Sequence, residues 1–246
     1  MRVSWREVDT DGKDPSVAGS VRQQKVGGFA ALYLAAAYVV AMPYFLALVK
    51  YPSVTDPVEK VAMLVGNHAS MRVVYLITYV IFGIVLAVLA LTLYARLRDG
   101  APTLTLAGTA VGLMWAVVLV ASGTIFNAGM AAVVDLHATS PAQAVSAWQA
   151  IEPVAQGLGG SGGELLGGLW VLLVSLAALR TGRLPKMLNW LGVAIGAAGV
   201  LSVVPALKDL AYGFGLLQIV WLVWLGTVML RPTPRPADPA PLQPPR

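Results

Sequence analysis

VVYLITYVIFGIVLAVLALTLYA, Val73 to Ala95, runs for 23 residues without a charged side chain. At ~1.5 Å per helical residue it covers the roughly 30 Å hydrocarbon core of a bilayer, whereas a soluble helix needs a polar face. Arg72 precedes it, and Arg96 and Arg98 follow it, so the charges begin where lipid headgroups would. Working outward, comparably apolar windows lie at Val26–Val49, Leu104–Val134, Gly163–Leu179, Met187–Leu207 and Tyr212–Leu230, and only Glu164 brings a charge into any of them. The fold read from these windows is all-α, a polytopic six-transmembrane-helix bundle. The third window is long and the fourth short, which predicts that the third helix projects beyond the bilayer and that the fourth begins before Gly163.

Composition narrows the functions. The 246 residues are 57% apolar and 12% charged, with a mean hydropathy of +0.73. Six spans leave short loops and two polar ends, and no room for a large soluble catalytic domain, so no enzyme is expected. With no cysteine, disulfides, thiolate metal sites and iron–sulfur clusters are excluded. The net charge of +5 comes from basic residues scattered at helix ends, which speaks for orientation and against nucleic acid. Residues 1–25 read as a polar cytoplasmic tail without the apolar core of a cleavable signal peptide, residues 26–231 as the membrane domain, and residues 232–246 as a Pro-rich, disordered cytoplasmic tail.

Thirteen of the 17 Lys and Arg fall on the termini and on the second and fourth loops; the other side has Lys50, Lys60, Arg72 and Lys208. Positive charge is retained on the cytoplasmic side, so both termini are predicted to be cytoplasmic, in a bacterial inner membrane. The long outer loop 135–162 opens a short helix at Ser140, Pro141 and Gln143. Val145, Trp148, Ile151 and Ala155 recur along it at helical spacing. They predict a short helix packed as a lid on the bundle; the alternative is a helix lying on the outer membrane surface with Trp148 as interfacial anchor, and Pro153 is expected to bend or end it.

Gly157, Gly159 and Gly162 match G-x-G-x-x-G, but no strand precedes them, so a dinucleotide site is rejected. Gly159, Gly163 and Gly167 step by four, as do Gly192 and Gly196; these are helix-packing faces, and Gln218 in the last span is expected to bond across helices. Pro43 is expected to kink the first span. Polar side chains are costly in hydrocarbon, which singles out Asn127, Asp135, His137, Glu164 and His68 as a candidate polar pocket on the outer side. Glu164 is read as the acidic cap of the fourth helix in preference to a proton relay. No pair of histidines shares a helical face, so no metal is expected; with no histidine at mid-depth, haem is not expected either, and the cofactor reading is none.

The run from Gly168 through Arg180-Thr-Gly-Arg-Leu-Pro-Lys186 to Gly192, then Gly196 and Gly199, resembles the fourth and fifth spans of the six-helix bacterial membrane family catalogued as domain of unknown function 4386. Gln218 to Gly226 and the run from Asn67 to Arg98 are similar to that family's pattern as well, over about residues 25–231. The resemblance implies no activity and no catalytic residues. The function expected is that of a structural, regulatory or accessory membrane protein, with the lipid bilayer and a second copy or another membrane protein as partners for the glycine faces. The alternative is a small-molecule transporter or lipid-binding protein using the outer pocket.

Overall fold

The computed structural model describes residues 15–159 and 161–231, which form helices and short connections without a strand among the described residues. The amino-terminal segment up to residue 14, Gly160 and the Pro-rich segment 232–246 lie outside the described residues. Helix α1 (Pro15–Pro43) passes into a π-helical turn at Tyr44–Leu48. Helix α2 (Pro57–Tyr75) continues through a second π-helical turn, Leu76–Ile81, into α3 (Phe82–Leu97). Then follow α4 (Pro102–Thr139), α5 (Pro141–Gly159), α6 (Ser161–Thr181), α7 (Lys186–Leu201) and α8 (Leu210–Leu230).

Five stretches are long and apolar enough to cross a membrane: Val21–Leu48, Pro57–Leu97, Pro102–Thr139, Pro141–Thr181 and Leu210–Leu230. The remaining window, Met187–Leu207, holds the shorter apolar helix α7, which ends at Leu201 because Pro205, opening a 3-10 turn, has no N–H to continue the ladder. Large apolar side chains point outward all round, among them Leu48 (76% exposed), Met187 (71%) and Val117 (67%). A surface of this kind needs lipid against it. The chain is a multi-pass membrane protein, an all-α bundle.

Boundaries differ from the sequence reading in instructive ways. Helix α1 begins at Pro15, so residues 15–25, read as tail, are its first turns. Helix α4 spans 38 residues, or ~57 Å, and exceeds a bilayer core by roughly 27 Å, the projection its long window predicts. The α2–α3 rod projects equally, and this was not legible in hydropathy because residues 57–72 carry charge. Its start has a local signature: Asp56 accepts from the N–H groups of Val58 and Glu59, both at 2.9 Å, with Pro57 at the first helical position.

Two apolar cores result. The larger joins α1, α3, α4, α6, α7 and α8, with Leu34, Leu86, Trp170, Ile195 and Leu225 fully buried. The second lies at the end away from the described termini, where α2, the far half of α4 and α5 pack around Leu64, Met71, Phe126, Met130 and Trp148. Of the two readings of α5 the structure shows the packed one, and Trp148 is not an interfacial anchor: it is 1% exposed, and its Nε1 donates to the Tyr51 hydroxyl at 3.2 Å. Pro153 does not end the helix; it is exposed, and the turns on either side remain packed through Trp148 and Ala155.

Glycines bring the helices close. A Cβ at Gly168 of α6 would stand 2.8 Å from the Gly196 carbonyl oxygen of α7, and one at Gly196 would stand 2.7 Å from that of Gly168. Gly28 and Gly226 do the same between α1 and α8. At the end bearing the termini, Gly182 takes φ +65° to turn the chain out of α6. There Arg183 donates to the Arg96 carbonyl at 2.8 Å, and Arg96 donates to that of Arg183 at 3.1 Å.

Candidate functional site

A cavity of about 640 Å³ opens where the two cores meet. Its walls come from spacings that put several residues of each helix on one face. Tyr38, Ala41, Met42 and Phe45 line it from α1 and the following π turn, and Tyr75, Thr78, Tyr79 and Phe82 from the α2–α3 rod. Trp115, Leu119 and Phe126 contribute from α4, Tyr212 and Phe214 from α8, and Tyr51 from the connection before α2.

Both π-helical turns border this space. Such turns interrupt the i to i−4 ladder and are frequent at functional sites. Here the first carries Phe45 and Leu46 and the second carries Thr78 and Tyr79 into the wall. Tyr33 donates to the Ile77 carbonyl at 2.9 Å, inside the second turn, and Thr78 returns its hydroxyl to the Val74 carbonyl at 2.7 Å. The first follows Pro43, which the sequence reading took as a kink; a proline has no N–H to give, and the helix there changes pitch.

The rings form a connected set. From the cavity inward, Tyr38–Phe82, Phe82–Trp115, Trp115–Trp170 and Trp170–Trp221 centroids are 5.5, 6.1, 5.8 and 5.9 Å apart. Toward the far core, Tyr75 stacks on Phe126 at 4.3 Å and Phe45 meets Tyr75 at 5.0 Å.

Among the described residues, the charged side chains lining the cavity are Glu164, Lys208 and Asp209. Lys208 and Asp209 are neighbours in sequence and exposed. Glu164 is half-buried in the first turn of α6, within electrostatic reach of the Tyr38 and Tyr79 phenols, and no cation lies within ion-pairing distance of it among the described residues. Its place in that first turn suits the acidic cap of the sequence reading, and the same side chain lines the cavity.

Above the cavity the Glu152 carboxylate gathers three donors: the Tyr51 hydroxyl at 2.7 Å, Lys60 Nζ at 3.0 Å and Gln156 Nε2 at 2.9 Å. Lys60 also sits 4.9 Å from the centre of the Tyr51 ring. Burial, and next the bond to Glu152, push the Tyr51 phenol well above its ordinary value, so it stays a neutral donor. Tyr51 and Gln156 both line the cavity, so this network fixes its roof.

Of the five residues read as an outer polar pocket, only Glu164 lines this cavity. His68 Nδ1 lies 3.0 Å from the Val65 carbonyl oxygen of its own helix, and Asp135 is exposed. Asn127 Oδ1 and His137 Nδ1 are buried without a hydrogen-bond partner among the described residues. Equal depth along helices is thus not convergence, because these side chains point in different directions around their axes. No cluster of three metal-binding side chains occurs among the described residues.

The packing glycines have neighbours inside the chain. A Cβ at Gly159 would strike Ser122 and Tyr79, at Gly167 Trp115, at Gly192 Ser175 and Trp221, and at Gly196 Leu172; Gly163 is placed only as part of the α6 backbone. Gln218 is fully buried, but neither end of its amide makes the expected cross-helix bond to the described residues. Sequence reasoning missed the aromatic wall, since a tyrosine in an apolar run looks the same whether it faces lipid or a cavity.

The family described as a domain of unknown function (DUF4386) matches residues 29–229. No curated protein and no solved structure matches the chain.

Proposed function

The chain belongs to the DUF4386 family, and from its cavity we propose that it is a membrane protein that binds an amphipathic small molecule, without catalytic turnover. One observation carries this reading: a space of about 640 Å³, within the range of small-molecule sites, walled by rings from several helices and holding one inward acid. Recruitment of a partner through small-residue faces has less support, because the glycines singled out for it that can be described touch helices of the same chain.

Three decyl compounds, decanol, decanoate and decyltrimethylammonium, test the cavity in nanodiscs of an uncharged galactolipid, with protein-free discs measuring partition into lipid. Ala41→Trp fills the space from α1. At least one compound is expected to bind the native chain above the lipid background and to raise its Tm, and Ala41→Trp is expected to abolish both. If no compound binds above background, or if Ala41→Trp binds equally well, the cavity is not a ligand site.

We further propose that the protein sits in a bacterial cytoplasmic membrane with the cavity on the outer side, supported by the thirteen of 17 basic residues that the sequence puts on the two tails and on the second and fourth loops. The chain has no cysteine, so Gly66→Cys on exposed α2 supplies a unique label site. A membrane-impermeant maleimide should react with it in intact cells. Labelling only after lysis reverses the orientation.

A further inference from the structure

We infer that the ligand's polar group is an organic cation, a protonated amine or quaternary ammonium, held by Glu164 among the cavity's aromatic rings. This rests on the cavity being a binding site, and goes beyond it to the ligand's charge and head-group chemistry.

Lys208 and Asp209 offset each other at the exposed edge, which leaves the Glu164 carboxylate as the uncompensated charge of the cavity. A carboxylate without a protein cation, in a site partly withdrawn from water, attracts a positive group far more strongly than the same pair would in bulk solvent. An anionic ligand would have to pass Glu164 with only Lys208 in its favour, and Lys208 has Asp209 beside it.

The walls make the same choice. Ring quadrupoles present negative faces, and aromatic cages are a recurrent way to hold ammonium groups that have few or no N–H donors. Tyr38, Tyr79, Phe82 and Trp115 combine this field with apolar surface. A small hard cation such as Na⁺ would instead want several oxygen ligands, which a wall dominated by rings does not supply. The apolar positions Ala41, Leu119 and Gly215 leave room for an aliphatic tail beside the charged head.

The same head group is found on lipids and on free amphiphilic amines, and the experiment separates them. In the galactolipid nanodiscs, which contain no amine, decyltrimethylammonium is expected to bind roughly tenfold or more tightly than decanoate or decanol. Glu164→Gln should remove that preference while decanol binding stays unchanged, and the retained decanol binding shows that the variant is folded. Tyr79→Leu should weaken the cation severalfold and leave decanol within twofold. Decylphosphocholine then identifies the source: binding as tight as that of decyltrimethylammonium supports a lipid head group, and clearly weaker binding supports a free amine. Equal affinities for all three decyl compounds, tighter decanoate binding, or a preference that survives Glu164→Gln would overturn the inference while leaving the cavity as a ligand site. Binding of none of them would instead mean that the cavity reading itself had failed.

Discussion

Gly168→Leu is expected to give no monodisperse protein after mild detergent extraction, while Gly213→Leu gives a peak and a Tm like those of the native chain. Both glycines lie in membrane helices, and the same atoms are added at each. At Gly168 the first added carbon meets the backbone of α7: the Val200 nitrogen at 2.7 Å, with the Gly196 oxygen and Gly199 carbon at 2.8 Å. No side chain is there to rotate away, so the two helices must separate along their contact. Overpacking relieved by side-chain shifts costs about 1–3 kcal/mol, and displacing a helix costs more than that. A Cβ added at the exposed Gly213 meets no neighbouring element within 4 Å, so a side chain there points away from the bundle and changes stability by about 0.5 kcal/mol or less. Gly168→Ala should fall between them. Gel-filtration profiles and Tm values check the series, and equal behaviour of Gly168→Leu and Gly213→Leu would mean that α6 and α7 do not meet as described.

Trp148→Ala is expected to cost about 3–5 kcal/mol, but locally. The indole is buried against Phe126, with ring centroids 6.2 Å apart, and its N–H is held by Tyr51. Removing it leaves a hole in the smaller core and frees the hydroxyl that also serves Glu152. Since α6, α7 and α8 take no part in that core's buried set, their amide protection should not change, whereas α2 and α5 should exchange sooner. Hydrogen exchange resolved by peptide tests this. A loss of protection spread evenly over the chain would show that the two cores unfold as one. Because the Glu152 network roofs the cavity, weaker ligand binding should accompany the local loosening.

The residues account for how much of this could be read beforehand. All six windows fall on helices because a bilayer demands long uncharged runs, and Val73 to Ala95 has no soluble interpretation. Hydropathy sees only the part of a helix that meets lipid, so the second core stayed hidden: its helices carry the exposed Glu59 and Arg72 and the partly buried pair Lys60–Glu152. The face Val145, Trp148, Ile151 and Ala155 is one apolar side packed on protein, the favoured of its two readings, although periodicity alone cannot tell a protein partner from a membrane surface. Glu164 stood out because a charge in such a window is rare. Tyr38, Tyr79 and Trp115 did not, since nothing local distinguishes an inward ring from an outward one. Asp56 followed by Pro57 was a start signal that a search for caps, rather than for apolar runs, would have found.

The file of rings from Tyr38 to Trp221 has an optical consequence. Indoles whose centres lie about 6 Å apart couple their excited states, so the intense far-ultraviolet transition of Trp115, Trp170 and Trp221 should give a sign-alternating band in circular dichroism. Trp115 borders the cavity and Trp221 lies deep among the helices, which makes this band a label-free gauge of occupancy; a compound that leaves it unaltered is sitting somewhere else.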